Sequence, residues 1–259
     1  MEVCVDSLES VINSYEGCAN RIELCSSLNE GGLTPTYGLL RSVKKYLISV
    51  ERHFEVYCMI RCRSGDFNYT DTEIETMIED INKFVELEID GLVFGALDPN
   101  GLVDESVMKE FLKLIPANSN IKTTFHRAFD VSSDWKTCFK QIKALGFDRI
   151  LTSGQKKTAF EGRELIGELV RLAKTDSLNP ISIMPGAGIN KLNLEQLLIE
   201  TKCVEFHASC RSSRNSKMKF RNLSIPMGSE SNLDSEFLVN FTDKQKVKEL
   251  FDIFSNSKC

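Results

Sequence analysis

Two apolar periodicities alternate along this chain. Short runs with period-two patterning occur at Glu2–Val5, Arg21–Cys25, Val56–Arg61, Gly91–Gly95, Lys122–Phe125, Arg149–Thr152, Ile181–Met184 and Val204–His207. Between them, apolar residues recur every three or four positions, as at Ile74, Met77, Ile78, Ile81, Phe84 and Val85, or Phe139, Ile142 and Leu145. The first period suits strands and the second suits amphipathic helices. Eight strand–helix repeats in 259 residues predict parallel pairing and an α/β fold. The expected architecture is a single-domain TIM-type (β/α)8 barrel over residues 1–259, with its site where the strands end.

Punctuation residues support these elements. Thr70 or Asp71 is placed to cap the helix through Leu87, Asp104 to cap the one carrying Val107, Phe111 and Leu114, and Gly146 to end the helix closing at Leu145. Two connections are long: one after Cys25 containing Glu30-Gly31-Gly32-Leu33-Thr34-Pro35, and one from Ala208 to Thr242. Long ordered connections are often functional. The second carries Arg211, Arg214, Lys217, Lys219 and Arg221, which reads either as a solvated basic lid or as a binder of an anionic substrate.

Strand parity then sorts side chains, because neighbours along a strand face opposite ways. If Ile22 and Leu24 face the helices, Arg21, Glu23 and Cys25 face the barrel axis, where charges can find partners. The same rule sends Glu2 and Cys4, then Met59, Arg61 and Arg63, then Thr124 and His126, then Glu205 and His207 inward. Val204 and Phe206 are sent to the helix side. An interior with Glu23, Arg61, His126, Glu205 and His207 is more polar than packing requires, so these groups need partners or a chemical task.

The densest reactive segment is Thr124-Phe125-His126-Arg127-Ala128-Phe129-Asp130. His126 can exchange protons near neutrality, with Glu23 or Asp66 as its partner acid and His207 at the same end of the barrel; a structural histidine bonded to a carboxylate is the plainer alternative. Arg61 offers a planar fork suited to a carboxylate or phosphate, or else an internal ion pair with Glu23. Ser153 and Gly154 after the sixth strand, and Gly186 and Gly188 after the seventh, sit where exposed amides of glycine turns can bind an anion. Gly186-x-Gly188 lacks the third glycine of a dinucleotide fingerprint. Cys4 and Cys25 face inward on consecutive strands, and two soft thiolates so placed suit Cu(I) if their heights match; otherwise they simply fill the interior. Cys58 and Cys62 read as packing, and Cys18, Cys138, Cys203, Cys210 and Cys259 form no second cluster.

Composition narrows the classes. A formal charge of −5, mixed along the chain, gives no reason to expect a nucleic-acid partner. Nine cysteines at irregular spacings, with no charged-then-apolar leader before the first strand, favour a reducing cytoplasm over a secreted disulfide framework. No apolar stretch approaches the roughly 18 residues of a membrane span, so a soluble protein is expected.

Several segments together resemble the CutC family of copper homeostasis proteins, in particular its animal members. They include Met1-Glu2-Val3-Cys4-Val5-Asp6-Ser7, Arg21-Ile22-Glu23-Leu24-Cys25-Ser26, Glu30-Gly31-Gly32-Leu33-Thr34-Pro35, Gly65-Asp66-Phe67, Thr124-Phe125-His126-Arg127-Ala128-Phe129-Asp130 and Met184-Pro185-Gly186-Ala187-Gly188-Ile189. The resemblance implies a TIM-type barrel, cytoplasmic residence with the nucleus as a second location, homo-oligomeric assembly, and Cu(I) held by Cys4 and Cys25. At Arg61-Cys62-Arg63-Ser64 the chain departs from the family pattern, which has Pro between the arginines and Gly before Gly65. The function expected is therefore cytosolic Cu(I) binding. Its rivals are an enzyme using acid/base chemistry on a small phosphorylated or carboxylated metabolite, and a scaffold without chemistry.

Overall fold

The computed structural model describes residues 1–175, 180–222, 225 and 237–257. Cys259 and part of the long connection after Ala208 lie outside these residues. Eight parallel strands form one sheet: β1 (Glu2–Val5), β2 (Arg21–Leu24), β3 (Glu55–Met59), β4 (Gly91–Phe94), β5 (Lys122–Phe125), β6 (Arg149–Thr152), β7 (Ser182–Pro185) and β8 (His207–Ala208). Strands β1 to β7 pair in chain order, and β8 pairs with the other side of β1, so the sheet curls into a nearly closed barrel. Helices follow the strands: α1 (Leu8–Glu16), α2 (Tyr37–Leu47), α3 (Asp71–Glu86), α4 (Glu105–Lys113), α5 (Trp135–Leu145), α6 (Arg163–Lys174), α7 (Leu194–Thr201) and α8 (Lys244–Asn256). An antiparallel hairpin of β9 (Arg211–Asn215) and β10 (Leu238–Thr242) lies between β8 and α8.

The caps follow the sequence. Thr70 and Glu73 form a reciprocal capping box on α3, satisfying two backbone donors that the first turn leaves open. The Asp104 carboxylate accepts from Ser106 and Val107 at the start of α4, and Gly146 ends α5 in the left-handed region. Between barrel and helices lies the main core, which includes edge-to-face contacts of Phe94 with Phe111 and of Phe125 with Phe147, and a tilted one between Phe94 and Phe147. Burying each such ring contributes about 1.5–3 kcal/mol.

Several strand boundaries shift from the sequence reading, and two of the shifts bear on the site. The eighth strand starts at His207 because its partner β1 begins at Glu2, whose amide bonds to Phe206 O. Phe206 still packs outward against Phe254 of α8, but Val204 is 67% exposed rather than covered by helices. The third strand ends at Met59, so parity no longer governs Arg63. That side chain turns outward to Glu73 at 2.5 Å and Asp66 at 2.9 Å.

Inside the barrel, parity holds at Glu2, Cys4, Arg21, Glu23, Cys25, Tyr57, Met59, Thr124, His126, Glu205 and His207, all of them buried. The amino-terminal end is plugged by ions: Arg21 pairs with Glu2 and Glu205 at 2.5 Å each, and Arg149 pairs with Glu205 at 2.7 Å. Tyr57 lies beneath both guanidiniums, 5.2 and 5.4 Å from its ring centre. Gly91 makes room for it, since a Cβ there would stand 2.5 Å from the Tyr57 ring. The Ser182 hydroxyl donates to Glu205, linking β7 to the residues just before β8 by side chains.

Candidate functional site

Above this plug a cavity of about 420 Å³ opens at the carboxyl ends of the strands, a size typical of small-molecule sites. Its floor holds Cys4, Glu23 and His207, donated by β1, β2 and β8. The register sets Cys4 opposite Glu23, and His207 opposite Glu2. One ligand atom from each of Cys4, Glu23 and His207 lies within 4.8 Å of the other two, and all three residues are buried. Donors around a bound metal stand roughly 3–4 Å apart, so a contraction would be needed to bring these three onto one ion.

Electrostatics at the floor follow from burial and neighbours. Burial pushes the Glu23 carboxyl up to about 7, with the charge of Glu2 adding to it. His207 Nδ1 lies 2.8 Å from Glu2 Oε1 and its Nε2 3.7 Å from Glu23 Oε2. Burial opposes its protonation, yet Cys4, Glu23 and Glu2 together raise its pKa well above the usual imidazole value. Cys25 is fully buried, with Sγ 3.5 Å from Glu23 Oε2. Because Cys4 pairs with Glu23, Cys25 stands two residues further along the chain, just past the end of β2, and is not the residue opposite Cys4. Burial, reinforced by Glu23 and Cys4, keeps its thiol well above the usual range.

The walls carry Arg61 and His126. Arg61 Nη1 donates to Glu30 O at 2.8 Å and Gly32 O at 3.3 Å, and Nη2 to Gly65 O at 2.9 Å. Its guanidinium stacks on Phe67 at 4.9 Å. It forms no ion pair among the described residues, so the Arg61–Glu23 pair, the plainer of the two alternatives for this side chain, is not made. Backbone carbonyls of the two flanking loops hold it instead. His126 also packs on Phe67, 4.9 Å between ring centres, and a Cβ on Gly95 would stand 2.9 Å from its Nδ1. Ala128 N donates to that Nδ1 at 3.2 Å, which leaves the neutral ring's hydrogen on Nε2. Burial, with the nearby Arg61 charge, lowers the His126 pKa to about 3. Glu23 Oε1, Arg61 Nε and His126 Nε2 are buried without a hydrogen-bond partner, and all three residues line the cavity.

Comparison with known proteins gives this geometry a family. The sequence profile of the CutC family matches residues 1–212. The chain belongs to the CutC family. It is 45% identical over 256 residues to the human copper homeostasis protein cutC homolog, covering 99% of this chain and 89% of the human one. The Dictyostelium discoideum homolog of the same name is 38% identical, with 95% and 94% covered. Among solved structures, a copper homeostasis protein CutC from Streptococcus agalactiae superposes with TM-score 0.72 at 35% identity, over 80% of this chain and 97% of that one. Phosphoribosyl anthranilate isomerase from Thermotoga maritima shares the fold alone, at 9% identity and TM-score 0.54, over 98% of each chain.

In this CutC-family chain the expected anion loops behave differently from the sequence reading. The amides of Ser153 and Gln155 donate to the Asp130 carboxylate, and Gly154 N donates to Thr152 Oγ1. Thr152 and Ser153 hydroxyls and Arg127 Nε complete the shell around Asp130. The chain's own carboxylate thus occupies the place expected for an external anion at Ser153 and Gly154. Gly186 N is bonded to Thr152 O, and of the two later glycines only Gly188 lines the cavity. Asp66 is exposed, paired with Arg63, and is not part of the cavity wall, so it is no partner for His126. Of the basic segment, Arg211 reaches the cavity rim and bonds Asn29, while Arg214 pairs with Glu9. Sequence reasoning passed over Arg149 and Ser182 of the plug. Extending the parity rule to the starts of β6 and β7 would have found them.

No helix among the described residues is long and apolar enough to cross a membrane.

Proposed function

We propose that this protein binds Cu(I) on the floor of the barrel, in the cytoplasm and with the nucleus as a second location, and that it does so as a homo-oligomer. The observation that supports this reading is the buried set of Cys4, Glu23 and His207 with donor atoms within 4.8 Å. Cys4 as thiolate and His207 as neutral imidazole supply donors that Cu(I) favours, and Cys25, bonded to Glu23, supplies a second sulfur when that carboxyl moves aside. Glu23 is a poor ligand for so soft an ion, and its place is to take up a proton released on binding. Names of the relatives agree with a copper role.

Anaerobic Cu(I) titration against a competing chelator tests it. One tight site per chain is expected, lost in Cys4→Ser and weakened by Cys25→Ser and His207→Gln. Unchanged affinity in both cysteine variants overturns the reading. Because ligands must shed protons to bind, affinity should tighten as pH rises, and it should do so less steeply in His207→Gln.

A second reading has its own observation: Glu23, Arg61, His126 and His207 all line one cavity large enough for a metabolite. Such an arrangement serves an enzyme that moves protons with Glu23 and His207 while Arg61 and His126 hold a small anionic substrate. A metabolite extract that raises the melting temperature of the wild type and leaves His126→Ala unmoved would support it. Equal shifts in both would oppose it.

A further inference from the structure

Glu2, Cys4 and His207 meet in an order that neither reading above uses in full. Glu2 and Cys4 point inward two residues apart on β1, and the register sets His207 of β8 opposite Glu2. A carboxylate can only accept, so His207 Nδ1, 2.8 Å from Glu2 Oε1, carries the hydrogen between them. Arg21 Nε holds the other oxygen of that carboxylate at 2.5 Å, which fixes its orientation. Nε2 is left on the far side of the ring, 3.7 Å from Glu23 Oε2, and the Cys4 sulfur belongs to the same cluster, whose ligand atoms lie within 4.8 Å of one another. Gly186 lies against the ring, since a Cβ there would stand 3.4 Å from His207 Cβ and 3.6 Å from Cδ2. Cys4 Sγ makes a long contact to Ala208 O at 3.9 Å, which leaves the thiol available.

Thiol, imidazole and carboxylate in that sequence are the parts of an activated nucleophile. The carboxylate keeps a hydrogen on Nδ1, so Nε2 is the nitrogen that can take a proton from sulfur. Access separates Cys4 from the other inward cysteine. Cys4 and His207 each keep 8% of their surface exposed and line the cavity, whereas Cys25 keeps none and is not part of its wall. Glu2 stands behind the ring, fully buried and away from the cavity, as an orienting group should. All three side chains project from barrel strands, which hold such a constellation more tightly than loops do. The space above them, about 420 Å³, is far larger than an ion fills, and Leu28, Met59, Phe67 and Leu151 give it apolar walls for a short acyl chain.

We propose that Cys4 is the nucleophile of an acyl hydrolase acting on a small ester or thioester, with His207 as its base and Glu2 as the positioning residue of the imidazole. Sγ gives its proton to Nε2 while its electron pair attacks the carbonyl carbon. The tetrahedral intermediate collapses, the departing alcohol or thiol takes the proton from Nε2, and the acyl group stays on Cys4 as a thioester. Water then attacks that carbon and passes a proton to Nε2; the C–S bond breaks, and Sγ recovers the proton. One acyl compound and one water become one carboxylic acid and one alcohol or thiol. The proposal goes beyond both readings above. It needs no copper, and it differs from proton transfer by Glu23 in forming a covalent intermediate. Cu(I) on Cys4 and an acyl group on Cys4 exclude each other.

Rapid-mixing absorbance and intact-protein mass spectrometry of the full-length, metal-free, reduced protein test it, with p-nitrophenyl butyrate as the ester probe and S-butyryl-N-acetylcysteamine as the thioester probe. A burst of one leaving group per chain should precede slower steady turnover with at least one of them, and the probe that turns over names the leaving-group class. Peptide mapping of the quenched protein should place the butyryl group on Cys4 ahead of the more exposed Cys18 and Cys62. Acylation of Cys4 should slow about 10²–10⁴-fold in His207→Gln. Glu2→Gln should lower kcat more than it changes KM, and in 15N spectra of histidine-labelled protein it should redistribute the His207 hydrogen between Nδ1 and Nε2. A change confined to the salt-bridged plug would leave that tautomer alone. Mapping on the wild type needs no substitution and covers the case in which a variant fails to fold. Acylation confined to other residues, an equal rate at Cys4 in His207→Gln, or an adduct that water does not release each overturns the proposal. Turnover through Cys4 in a chain that fails the Cu(I) titration supports it while removing the copper reading. Tight Cu(I) binding by a chain never acylated at Cys4 does the reverse.

Discussion

Asp130 shows how much a single side chain can decide. Its carboxylate accepts from two backbone amides, two hydroxyls and Arg127, and its side chain is 5% exposed. Removing it strands the buried donors it satisfies. Asp130→Ala should therefore cost about 2–4 kcal/mol, read as a lower urea midpoint with an unchanged slope. Nothing local announces this role. Asp130 looks like part of a reactive His126–Asp130 segment, and Ser153-Gly154 looks like an open anion loop. Only the fold brings the two together across 23 residues. A sequence displays a receptor more readily than it displays that the chain itself has filled it.

Among elements, the strands were the most legible part, because a closed barrel enforces strict alternation. Parity placed Cys4, Glu23, Cys25, His126, Glu205 and His207 correctly, and the structure buries each of them. It failed at Arg63, which lies past the end of β3, where a loop's hydrogen bonds rather than a pleat set direction, and the partner role expected of Asp66 failed in the same loop. Heights across the ladder were not legible either, since register depends on where each strand starts. That is why Glu23, not Cys25, is the residue opposite Cys4. Packing between elements yields its own prediction. Gly91→Ala on β4 would drive a methyl into Tyr57 on β3 and should destabilise by about 1–3 kcal/mol. In a Tyr57→Leu background the same substitution should cost less, a coupling that a double-mutant cycle by chemical denaturation measures.

For the molecule as a whole, buried ionisable groups write a pH profile. Burial works against the charged forms of Glu2 and Glu205, but Arg21 and the neighbouring cations prevail and hold both carboxyls below the usual range. Their stabilisation is present above the ordinary carboxylate pKa and disappears as pH falls through their folded values. His126 acts over a higher window. Burial and Arg61 lower it from 6.5 to about 3, so between those values the unfolded chain binds a proton that the folded one refuses. Stability from this group therefore falls with decreasing pH, by about 1.4 kcal/mol per unit. Glu23 has the opposite sign: its raised pKa gives stability at low pH that fades as pH rises toward 7. Urea denaturation at several pH values should thus show His126→Phe losing less stability than the wild type between pH 6.5 and 3. An identical slope in both proteins would mean that His126 titrates normally.

The salt-bridged plug of Glu2, Arg21, Arg149 and Glu205 makes the barrel a blind vessel, stoppered at one end and filled from the other. Whatever settles deepest must leave last. If the floor takes Cu(I) as proposed, any small molecule lodged above it should act as a cork: chelators outside should strip the metal more slowly when the cavity is occupied, and loading in the reverse order should stall at the filled neck.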